Sequence, residues 1–132
     1  RWLADVDIRL DEHIQRLAAA TRNDAARTEW RAIDDAFFEA RGYAWALRAQ
    51  QEAMLVDFAD VLANANGARR LQQAMLQLDG TQQPVRSPLI MNGSEFGVLA
   101  NHSLVMAGYL AATRSELQQL RAALREGTAT PP

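Results

Sequence analysis

Two interleaved series of residues, each repeating every seven positions, constrain this chain more than anything else in it. Trp30, Phe37, Ala44, Gln51 and Phe58 form one series; Ile33, Ala40, Leu47, Met54 and Val61, offset by three, form the other. A seam of that period lies along one face of an α-helix and does not fit the two-residue period of a strand. No proline interrupts the stretch from Ala26 to Ala63. The spacing therefore predicts one continuous helix, roughly 50 Å or more in length at about 1.5 Å per residue. Phe38, Trp45, Ala49 and Val56 lie about 120° round from the seam and make a second apolar strip. Such a helix touches neighbours on two sides or lends one side to another chain.

The remaining segments follow the same period. Leu3, Val6, Leu10, Ile14 and Leu17 share one face of a first helix that ends near Thr21, and Asn23 or Asp24 can cap the next. Asn64, Asn66 and Gly67 close the second helix. A shorter third helix carries Leu71, Met75 and Leu78 on one face and stops at Asp79-Gly80. Residues 81–94 contain Pro84, Pro88 and Gly93 and read as a loop running back along the bundle, with the apolar run Pro88-Leu89-Ile90-Met91 on the core. Asn92-Gly93-Ser94-Glu95 reads as a capping box for the last helix, whose seam is Leu99, Met106, Thr113 and Leu120 with Ser103, Leu110, Leu117 and Leu124. That helix is expected to stop before Gly127.

These elements specify an all-α fold: an up-down helical bundle with three long helices, one short helix and a long Pro-containing return loop. Residues 1–127 form a single bundle domain and 128–132 a disordered tail. The last helix is expected to run parallel to the second, their apolar edges side by side, with the first antiparallel to both.

Composition narrows the function. A net charge of −2, and fourteen basic residues that are all Arg but nowhere clustered, give no nucleic-acid footprint. With no cysteine, disulfides and thiolate chemistry are excluded. The most apolar stretch, Phe96 to Ala112, is shorter than the ~20 residues a membrane span needs and contains Asn101, His102 and Ser103. A chain that opens at Arg1 reads as a cut or processed piece of something longer.

Asn101, His102 and Ser103 sit in a segment apolar nearly all round, and each buried polar group left unpaired costs about 1–3 kcal/mol. Asp34, Arg41, Arg48 and Glu52 form a charged column on the second helix that can supply partners. The candidate polar cluster is thus Asp34, Arg41, Asn101, His102 and Ser103. It reads as a buried network fixing helix register, or alternatively as a small-ligand site or hydrolase centre. No catalytic residue is assigned: there is no phosphate loop, nucleophile elbow or metalloprotease motif. Neither a metal nor another cofactor is expected, because Glu12 and His13 are adjacent and His102 has no acidic residue three positions before it. His13 reads as a flank or surface residue. Gly42, in mid-helix at a cost of about 1 kcal/mol, predicts the close approach of another helix.

Two segments resemble a known family. One runs from Trp30 through Asp34-Asp35-Ala36-Phe37-Phe38 and Arg41-Gly42-Tyr43-Ala44-Trp45 to Leu47. The other is Ser87-Pro88 followed by Asn92-Gly93-Ser94-Glu95-Phe96-Gly97 and Asn101-His102-Ser103 as far as Ala107. Between Trp30 and Leu124 the chain resembles the C-terminal part of a proteobacterial family, domain-of-unknown-function family 2333. Glu95 departs from the Gly expected there, which bears only on the cap. The resemblance implies one N-terminal transmembrane helix elsewhere in the protein and places this segment in the periplasm. It implies no activity. The expectation is a non-enzymatic interaction or scaffold module of the bacterial envelope. Its partner would be the N-terminal part of its own chain, another protein, or a second copy.

Overall fold

The computed structural model describes residues 1–22, 30–64, 66–85, 90, 92 and 101–129. Five helices account for nearly all of them: α1 (Trp2–Arg22), α2 (Trp30–Asp57), α3 (Ala59–Asn64), α4 (Gly67–Thr81) and α5 (His102–Ala129). Among the described residues there is no strand, only an isolated bridge between Asn92 and Asn101. Asn23, Asp24, Pro88, Leu89, Met91, Gly93 to Glu95, Leu99 and the last three residues of the expected tail lie outside the described residues.

Each helix buries the face its spacing marks out. Val6, Leu10 and Leu17 of α1 meet Phe37, Ala40, Ala44 and Leu47 of α2; Leu71, Ala74 and Leu78 of α4 and Met106, Leu110, Leu117 and Leu120 of α5 complete the core. Each large apolar side chain in that set contributes about 1.5–3 kcal/mol by leaving water. Ile90 and Val85 also rest on this core, as expected for the return loop.

Cross-links fix the directions. His13 lies against Tyr43 and Arg16 bonds Glu39, so α1 and α2 are antiparallel. Arg48 reaches Asp79 and Arg41 reaches Gln82, which sets α4 antiparallel to α2. Arg70 bonds Gln119 near the start of α4, while a Cβ at Gly80 would meet Tyr109 at its end, so α5 is antiparallel to α4. The bundle is up-down-up-down, and α2 and α5 run parallel as the lengths imply. Their placement differs from expectation: α5 packs chiefly along α4 and α1, and α2 faces it across the diagonal. With four helices at the corners of a square, each helix packs fully on two antiparallel neighbours and reaches its parallel one only through the centre.

Three further expectations are corrected. The long second helix is not continuous: it breaks at Phe58 into α2 and α3. Beyond the break Phe58 and Val61 are exposed, and Leu62 takes the buried place, within van der Waals reach of Gly67. Gly42 is exposed with nothing within 4 Å of an added Cβ, so among the described residues no helix approaches it. The close approaches fall instead at Gly67, where a Cβ would lie 2.7 Å from Leu62, and at Gly80, where it would collide with the Tyr109 ring. Finally, α5 continues past Gly127 to Ala129.

Candidate functional site

The first turn of α5 is held by two asparagines. Asn101 Oδ1 accepts the Leu104 N–H at 2.8 Å, an N-cap bond worth about 1 kcal/mol. Asn92 Oδ1 accepts the Ser103 N–H at 3.3 Å. Asn92 thus supports the first turn of α5 from across its bridge to Asn101, while the rest of the capping box read there, Gly93 to Glu95, lies outside the described residues. This double cap explains why Asn101 is 9% exposed in an apolar segment. Ser103 is fully buried, and its hydroxyl has no hydrogen-bond partner among the described residues.

The other members of the expected cluster make contacts of their own. Arg41 donates through Nη2 to the Gln82 carbonyl at 2.9 Å, and Gln82 Nε2 donates back to the Arg41 carbonyl at 3.1 Å. Two turns on along α2, Arg48 pairs with both Asp79 and Glu52. The charged column of α2 thus clamps the end of α4. Asp34 is half-buried on the same helix. His102 is half-buried with its ring edge-on to Phe37, centroids 6.3 Å apart.

Beside that His102–Phe37 pair opens a cleft of about 400 Å³. Phe37 forms one wall, Gly80, Thr81, Gln83, Pro84 and Val85 another, and Asn101, His102, Val105, Met106 and Tyr109 of the α5 entrance the third. Asn101 and His102 reach this cavity, whereas Asp34, Arg41 and Ser103 are not among its described lining residues. Sequence reading missed Tyr109 and Thr81 here. Gly80, directly after Asp79, signals only a helix stop in the sequence, yet its missing side chain is what lets the Tyr109 ring lie against α4.

A second feature lies on the outside. Phe38, Trp45 and Val56 are 50%, 65% and 77% exposed. Gly42, Ala46, Ala49 and Ala53, all exposed, sit among them. The strip anticipated on the second helix is therefore uncovered along its whole length.

Charged groups elsewhere tie helices together. Arg114 of α5 bonds Asp7 at 2.7 Å and also Asp11, while Gln118 donates to Asp7 at 2.7 Å. The Arg114 bond holds the Asp7 carboxyl below its ordinary range, against the opposing effect of burial. Arg16 does the same for Glu39. His13, read as a flank or surface residue, lies on the flank between α1 and α2: its ring lies 4.8 Å from that of Tyr43, and burial pushes its pKa down. Among the described residues no group of His and carboxylates could hold a metal ion, and no helix is long and apolar enough to cross a membrane.

Fold and surfaces together define a class: an all-α four-helix domain with a capped loop-end cleft and an uncovered apolar helix face. The chain belongs to the DUF2333 family, uncharacterized proteins conserved in bacteria, whose model matches residues 2–127. The match takes in α1 as well as the Trp30–Leu124 stretch on which the resemblance rested. No curated protein and no solved structure matches the chain.

Proposed function

We propose that this domain is a non-enzymatic docking module of the bacterial cell envelope, and that the outer face of α2 seats the same face of a second copy. The observation that carries this reading is the exposure of Phe38, Trp45 and Val56 on one stripe. Scattered exposed apolar residues need no explanation, but an aligned stripe does.

A second copy fits the stripe's own pattern. Two α2 helices packed antiparallel about a two-fold axis level with Leu47 set Phe38 opposite Val56 and Trp45 opposite Ala49. Large side chains then face small ones, as an isologous contact requires. Gly42 gains a role that the monomer denies it, because an interior helical glycine costs about 1 kcal/mol relative to alanine. The face offers on the order of 500 Å² per copy, about 1,000 Å² for the pair, which stands at the threshold for a specific interface and marks the contact as a weak one. The envelope location rests on the family resemblance alone, and fractionation of cells expressing the full-length protein tests it.

Gly42→Leu tests the docking reading directly. With nothing within 4 Å of the position, the substitution leaves the monomer's fold and melting temperature intact or raised. It blocks the approach of a partner helix, so light scattering should give 14.6 kDa for the variant and up to twice that for the parent. A parent that is monomeric at millimolar concentration with Trp45 still open to solvent overturns the reading. So does a variant that associates as the parent does.

A further inference from the structure

We infer that the cleft at the entrance of α5 binds a small amphiphile: an apolar acyl or aromatic body carrying one uncharged hydrogen-bonding group. A void of about 400 Å³ is far larger than the packing defects of a folded core and falls in the range of small-ligand sites. Its walls are chiefly apolar. Phe37 is buried behind it, Val85 and Tyr109 are half-buried, and Val105, at 58% exposed, stands at its side. Water gains little against such surfaces, and an apolar occupant is favoured to cover them.

The polar groups on the walls define the head. Thr81 is already committed: its hydroxyl donates to the Leu78 carbonyl at 2.6 Å and accepts from Gln82 at 2.7 Å. The first-turn amides of Ser103 and Leu104 are taken by the two asparagines, so the α5 N-terminus is not an open anion site. Tyr109 and Gln83 are the side chains on the walls placed to meet a head group. No Asp, Glu, Lys or Arg lines the cavity among the described residues, which selects against a head defined by its charge. The walls are also fixed: Gly80 allows the Tyr109 ring to pack directly on α4, and Phe37 holds the His102 ring edge-on.

The test uses N-phenyl-1-naphthylamine, a neutral probe that fluoresces in apolar cavities, titrated into the whole chain with decanol as competitor. The cleft predicts saturable binding that decanol reverses. Val105→Glu places a carboxylate at the cavity wall without touching the core and should weaken binding about tenfold or more. Val105→Trp should weaken it by filling the space. Trp45→Glu, on the far face of α2, should leave it unchanged, which separates this site from the docking face. Absence of saturable binding overturns the inference, as does full binding by both folded Val105 variants or loss of binding in Trp45→Glu.

Discussion

At the residue scale, glycine separates two surfaces that look alike in sequence. Gly42→Ala meets open space and removes a helix-interior glycine, so it should stabilise the monomer by up to ~1 kcal/mol. Gly80→Ala drives a methyl into the Tyr109 ring and should cost about 1–3 kcal/mol. Chemical denaturation of the pair gives opposite signs if the packing is as described; equal signs would refute it. Gln51 is a third case. It occupies an apolar position of the α2 seam, is fully buried, and neither amide atom has a partner among the described residues. Gln51→Leu should therefore raise the unfolding midpoint, and a lower midpoint would show that the amide has a partner after all. The sequence displayed Gly42 as an exception to its pattern, Gly80 as a helix stop and Gln51 as one more position of the seam. It could not show which neighbour made the exception necessary, because that depends on the corner of the bundle each helix occupies. For the same reason Asn101 was recognisable as buried, whereas its cap bond to Leu104 and the distant help from Asn92 were not.

At the element scale, periodicity located the helices and their inward faces, since burial of Val6, Leu10, Phe37, Leu47, Leu71 and Leu110 follows from spacing alone. It failed at Phe58. The seven-residue series runs on unbroken in sequence, but α4 turns back at Asn66, whose positive φ of 52° ends α3. Leu62, one position beyond Val61 of the series, then becomes the residue that meets Gly67. The charged links between elements carry a pH signature. His13 is held neutral by burial, so its pKa is lower folded than unfolded, and stability falls as pH drops below about 6.5 towards the folded value. Asp7 and Glu39 are also depressed, by Arg114 and Arg16, so their contributions are present above about pH 4 and are lost as pH falls through the folded values. Urea midpoints measured from pH 7 to 3 should thus decline in two stages. His13→Phe should flatten the upper stage and Asp7→Asn the lower; a decline unaffected by either variant would mean these groups do not titrate as the packing requires.

At the scale of the whole molecule, the bundle offers two surfaces that its own core leaves unused. The cleft lies at the entrance of α5, while the apolar stripe runs along the solvent side of α2, so each can be altered without the other. The stripe was legible in advance because it depends only on helical spacing within one element. The cleft was not, because it is built from three segments that meet only after folding. The stripe serves, on the proposed reading, as a contact between copies. Sedimentation equilibrium of the parent chain and Trp45→Glu, from micromolar to millimolar protein, tests it most directly. The parent's average mass should rise with concentration from 14.6 kDa towards double that figure, and the variant should stay at 14.6 kDa throughout. Identical masses for the two proteins across that range would contradict it.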